Sequence, residues 1–89
     1  MTLDLSRKAS SFLESLQPKQ YKQVVKRILD LQRDQYPPDS CHLSGHPGLK
    51  RIDQGEFRII FQAQPTSVLI VLVGKRNDDE VYRQLNRGQ

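Results

Sequence analysis

The stretch Gly55–Tyr82, GEFRIIFQAQPTSVLIVLVGKRNDDEVY, decides how this chain is read. In Glu56 to Ala63, Phe57, Ile59 and Phe61 alternate with Arg58, Ile60 and Gln62, which predicts a strand with two distinct faces. Val68 to Val73 is six apolar residues in a row, which predicts a central strand buried on both sides. Upstream, Leu49 to Asp53 reads as a further strand, with Gln54-Gly55 as a two-residue hairpin turn into the next. Downstream, Asp78 is placed to cap a terminal helix carrying Val81, Tyr82 and Leu85.

Working outward, Met1 to Leu5 reads as a first strand, with Leu3 and Leu5 alternating around Asp4. Ser6 is placed to cap a helix whose Ala9, Phe12, Leu13 and Leu16 follow i, i+3, i+4, i+7 spacing. Pro18 stops it and starts a second helix, where its missing N–H is not needed. That helix is expected to bury Tyr21, Val24, Val25, Ile28, Leu29 and Leu31. Tyr36 to Gly48, rich in proline and glycine, reads as a loop crossing to the second half. The implied architecture is a single α+β domain over residues 1–89. In it, an N-terminal strand and a helical hairpin pack on a mainly antiparallel sheet, with a short C-terminal helix.

Eighty-nine residues, 36% hydrophobic and 27% charged, suit one soluble globular domain with a modest core. No apolar run approaches the roughly 20 residues that cross a bilayer, and the start lacks a signal-peptide centre, so a cytoplasmic location is expected. A single cysteine, Cys41, fits a reducing compartment. Fourteen Lys and Arg against ten Asp and Glu give a net charge of +4, which favours an anionic partner, nucleic acid or an acidic protein segment.

The candidate site follows from where the arginines fall. Guanidinium groups bind phosphate oxygens through paired, charge-assisted hydrogen bonds, and an aromatic ring can stack a nucleobase. A turn at Gln54-Gly55 pairs Asp53 with Glu56 and sets Arg51 opposite Arg58. Like charges so placed cost about 0.2–1 kcal/mol, which an anion between them would relieve. The other reading is that both splay into solvent or pair with Asp53 and Glu56. Arg76 depends on the next loop. A three-residue loop at Pro65, Thr66 and Ser67 pairs Arg58 with Gly74 and brings Arg76 to the same face, a two-residue loop sends it to the opposite one, and a bulge at Gly74 changes the answer again. Tyr82 reads either as a core residue beside Leu85 or as a site aromatic. Cys41, His42 and His46 form a loose cluster with no fourth zinc ligand at recognisable spacing, so no metal or cofactor is expected. His46 is also an acid–base candidate.

LSGHPGLKRIDQGEFRIIFQ (Leu43 to Gln62) followed by VGKRNDDEVY (Val73 to Tyr82) resembles the RelE/ParE superfamily of bacterial toxins, and FLESLQPKQYKQVVKRILDLQRD resembles that family's helical hairpin. The likeness covers nearly the whole chain. Its most specific element is GKR followed five residues later by EVY. RelE-like members are messenger-RNA endonucleases that act in the ribosomal decoding site and are held inactive by a co-expressed antitoxin. The resemblance therefore implies a metal-independent endoribonuclease toxin partnered by an acidic, partly disordered antitoxin. Its phosphate-binding arginines would be Arg58 and Arg76, with Arg51 beside them and Tyr82 orienting or stacking the substrate. The family carries two alternating basic residues on the first hairpin strand. Here those positions are Arg51 and Leu49, with Lys50 between them as a tentative proton-transfer residue. ParE-like members, which poison DNA gyrase, generally lack this set and supply the alternative reading, as does a toxin whose nuclease site has decayed.

Overall fold

Ser6 ends the first strand and begins the first helix, and it ties both to the middle of the sheet. The computed structural model of the chain describes residues 2–76 and Arg83. Its elements are β1 (Thr2–Leu5), α1 (Arg7–Glu14), α2 (Pro18–Arg33), β2 (Cys41–His42), β3 (Leu49–Gln54), β4 (Phe57–Ala63) and β5 (Ser67–Lys75). The Ser6 hydroxyl accepts a hydrogen bond from the Ala9 N–H at 3.0 Å, satisfying one orphan donor of the first turn of α1. The same hydroxyl donates to the Val71 carbonyl in β5, and the Ser6 N–H donates to the Ile70 carbonyl at 3.0 Å.

The fold is α+β. Five strands form one sheet in the order β1-β5-β4-β3-β2. β1 runs parallel to β5 and every other pairing is antiparallel. The apolar run forms β5, an interior strand between β1 and β4, but burial on both faces is incomplete, because Leu69 and Val71 are only half-buried. The expected terminal helix from Asp78 lies outside the described residues. Between α2 and β3, where a loop alone was expected, Cys41–His42 adds a two-residue edge strand against β3. Two residues bounded by proline and glycine carry no period for a sequence reading to detect.

The helical hairpin covers one face of the sheet. Ala9 and Leu13 of α1 and Val24, Ile28 and Leu31 of α2 meet Ile52, Phe57, Ile59, Phe61, Val68, Ile70 and Val73. Phe12 meets Phe57 edge-on, with ring centroids 6.0 Å apart. The buried stripe of α2 is narrower than its composition suggested, because Tyr21 and Leu29 stand 44% and 46% exposed. Val24, Ile28 and Leu31 fall within one sector, whereas Leu29 lies about 140° round the helix from Val24 at 100° per residue. Among the described residues, no helix is long and apolar enough to cross a membrane.

The opposite face holds a second, smaller cluster of Leu43, Ile60 and Leu72, with Leu49 and Val71 packed against it. This face also carries Arg51 and Arg58, because strand alternation places them in phase with Ile60. The sheet therefore separates a helix-covered apolar face from one that is apolar at one end and strongly basic at the other.

Candidate functional site

The hairpin between β3 and β4 is displaced by one residue from the sequence expectation. Gln54 pairs with Phe57 and Asp53 with Arg58, so the two-residue turn is Gly55-Glu56. Gly55 takes φ +60° and, among the described residues, no non-glycine residue has positive φ, which matches a turn with glycine at its first central position. The expected Gln54-Gly55 turn would have put Gln54 in that left-handed position, where a side chain is unfavourable. In consequence Arg51 faces Ile60, and the like-charge pair Arg51–Arg58 does not form. An opposite-charge pair takes its place, with Arg51 a diagonal neighbour on the same face.

The second hairpin combines two features that were left open. Gln64 and Ser67 exchange backbone hydrogen bonds at 2.9 and 3.4 Å, enclosing a two-residue loop at Pro65-Thr66. That loop alone would set Arg58 opposite Val73. A bulge interrupts the register between Ile60 and Phe61, leaving Val71 as the extra residue, because Ile60 pairs with Leu72 and Phe61 with Ile70. Beyond it Arg58 pairs with Gly74. The bulge lies three residues before Gly74, and its carbonyl is the one that Ser6 holds.

Arg76 follows the strand end in phase with Gly74 and therefore with Arg58. Its N–H donates to the Glu56 carbonyl at 2.9 Å and its Nη1 to the Gly55 carbonyl at 3.4 Å, fixing it against the first hairpin turn. Arg51, Arg58 and Arg76 share one face of the sheet with Asp53, which Arg58 contacts directly. Arg58 Nε donates to Asp53 Oδ1 at 2.9 Å, and Nη2 lies 3.5 Å from Oδ2. The hydrogen bond from Arg58 chiefly holds the Asp53 carboxyl below the usual carboxylate range. Partial burial opposes this, and the charges of Arg58, Arg76 and Arg51 reinforce it. The side chains of Arg58 and Asp53 are 16% and 30% exposed, so the pair is only partly screened by water.

The other sequence candidates are placed as follows. Lys50 pairs with Phe61 and so lies on the helix side of the sheet, where its ammonium sits 4.4 Å from the centre of the Tyr36 ring. The sheet separates it from the arginines. Leu49 packs with the small apolar cluster. Tyr82 lies outside the described residues. Cys41 and His42 are successive residues of β2, opposite Arg51 and Lys50 respectively, and so point to opposite faces. Among the described residues, no three metal-ligating side chains gather. The Arg58–Asp53 ion pair is the outcome that the alternative reading of the hairpin allowed, in which the arginines pair with Asp53 and Glu56. The i+2 spacing of Asp53 from Arg51 places both on one face of β3, which was readable once the turn had been put at Gly55-Glu56.

No family model matches the sequence, and no curated protein matches it. Solved structures do match in fold. The isolated RelE toxin of Escherichia coli superposes with a TM-score of 0.73 at 21% identity, covering 97% of this chain and 95% of that one. The toxin–antitoxin complex RelBE2 of Mycobacterium tuberculosis gives 0.73 at 24% identity over 84% and 96% of the two chains. The RelE–RelB complex of Pyrococcus horikoshii gives 0.72 at 20% identity over 84% and 93%. The architecture defined by the sheet order and the helical hairpin is thus that of the RelE toxins. This chain has the RelE-type fold.

Proposed function

We propose that the protein is the toxin of a toxin–antitoxin pair and acts as a metal-independent endoribonuclease on messenger RNA at the ribosome. The observation that carries this reading is the placement of Arg51, Arg58 and Arg76 on one face of the sheet, opposite the helical hairpin. Three permanently protonated groups held by two hairpins form a preorganised receptor for a phosphodiester. In the proposed reaction the ribose 2′-oxygen bonds to the adjacent phosphorus while the bond from phosphorus to the 5′-oxygen breaks. The products are a 2′,3′-cyclic phosphate and a free 5′-hydroxyl, and the 2′-hydroxyl proton is balanced by protonation of the leaving oxygen. The arginines stabilise the charge that builds on the phosphoryl oxygens, and Tyr82 orients or stacks the nucleotide. Arginine is a poor proton acceptor, and Lys50 is remote from the cluster, so the arginines' part is electrostatic.

The partner proposed is an antitoxin with an acidic segment that covers the basic face. The Mycobacterium tuberculosis structure is a toxin–antitoxin complex and the Pyrococcus horikoshii structure a RelE–RelB complex, which supports the pairing. Cleavage of a translated message, set beside inhibition of DNA supercoiling by gyrase, tests the reading. Translation-dependent cleavage with gyrase unaffected is expected, whereas supercoiling inhibition without cleavage identifies the gyrase-poison alternative.

A further inference from the structure

We propose that Asp53 is a built-in counter-ion of the arginine site, holding Arg58 in the free protein and giving it up when a phosphate group enters. The inference rests on the reading of the cluster as an RNA phosphate site for the identity of the natural ligand, but not for the exchange itself. Asp53 Oδ1 and Oδ2 span the Nε and Nη2 edge of Arg58 at 2.9 and 3.5 Å. A fork of this kind is also the one that a phosphate takes up in bidentate binding, so the carboxylate and an incoming phosphate compete for one set of donors. The two residues face each other directly across the hairpin, one pair in from the Gln54–Phe57 pair that closes the Gly55-Glu56 turn. Asp53 is therefore supplied to Arg58 at a high local concentration whenever the site is empty.

The charge arrangement gives a physical reason for such a group. Three arginines on one face repel one another, and Asp53 offsets part of their charge. Its side chain is 30% exposed, which gives it a route into solvent. Displacing an internal carboxylate lowers affinity for any single anion. A strand that offers several phosphates meets Arg51 and Arg76 as well and outcompetes it.

The test measures binding of two probes to the full chain. One is inorganic pyrophosphate, followed by calorimetry. The other is a fluorescent 2′-O-methyl RNA oligonucleotide, which cannot be cleaved through a 2′-hydroxyl. Asp53→Asn removes the charge, and Asp53→Ser serves as a second variant in case Asn misfolds, with melting curves confirming the fold. Glu14→Gln, on the exposed side of α1, makes the same change in net charge elsewhere. Both Asp53 variants are expected to bind both probes roughly two- to fivefold more tightly than the parent, the range set by releasing a partly exposed ion pair. The RNA salt slope should steepen by up to about 0.7, the increment for one further phosphate contact on a single strand. Glu14→Gln should change neither. Unchanged or weaker binding by both Asp53 variants overturns the counter-ion role, and weaker binding assigns Asp53 to orienting Arg58 in the complex. If Asp53→Asn gains affinity for pyrophosphate while no variant binds RNA, the counter-ion stands and the RNA reading falls. If Arg76→Gln weakens RNA binding while the Asp53 variants match the parent, the opposite holds.

Discussion

Replacing Ser6 by alanine removes two hydrogen bonds made by one hydroxyl. The first caps α1 through the Ala9 N–H and is worth about 0.5–2 kcal/mol by comparison with other caps. The second holds the carbonyl of the bulge residue Val71 and is worth about 0.5–1.5 kcal/mol. Ser6→Ala should therefore lower stability by about 1–3.5 kcal/mol. Two further variants separate the contributions. Threonine keeps both functions and should stay within about 0.5 kcal/mol of the parent, the scale of changes that break no named interaction. Aspartate still accepts from the helix N-terminus, where negative charge is favourable, but as a carboxylate it has no proton to give Val71. Its stability should fall between those of threonine and alanine. Urea unfolding at constant m-value measures each difference. An alanine variant within 0.5 kcal/mol of the parent, or an aspartate variant equal to it, would refute the claim that this hydroxyl anchors both the helix and the bulge.

Three further outcomes follow from the site. Asp53 has a depressed pKa in the folded protein, so its contribution is present above the unfolded value of about 4 and disappears as pH falls through the folded one. The stability gap between parent and Asp53→Asn, about 0.2–1 kcal/mol at neutral pH, should close under acid, as melting curves across pH will report. Arg51→Gln should reduce RNA cleavage more than Lys26→Gln, since only Arg51 shares the face of Arg58; equal losses would mean diffuse attraction and no site. If Tyr82 stacks a base, Tyr82→Ala should lose activity and Tyr82→Phe retain most of it, because stacking is worth about 1–3 kcal/mol, and cleavage rates with melting curves on both variants check this.

The sheet was legible where burial enforces a period. Phe57, Ile59 and Phe61 alternate because one side of β4 meets the helices, and Val68 to Val73 is apolar because β5 lies between β1 and β4. The cap at Ser6 and the helix start at Pro18 were legible from local chemistry alone. Register was not. The turn moved by one residue because the left-handed position demands glycine first, and that step exchanged Glu56 for Arg58 as the partner of Asp53. The bulge at Val71 escaped notice because one valine in an unbroken apolar run gives no signal of being unpaired. Its carbonyl is held by Ser6, sixty-five residues away in sequence. The three arginines were visible as residues, whereas their placement on one face with Asp53 depends on both hairpins together.

The central claim is that the arginine cluster cleaves RNA, and mapping of transcript 5′-ends after induction of the parent and of Arg76→Ala tests it most directly. The messages are compared with and without a start codon that permits translation. The parent should create new 5′-hydroxyl ends within translated messages. Arg76→Ala, folded and still bound by antitoxin, should reduce them by about 10²–10³-fold, the usual effect of losing one preorganised donor to transition-state charge. Growth arrest by the parent without new ends, or undiminished cleavage by a folded Arg76→Ala protein, would contradict the account.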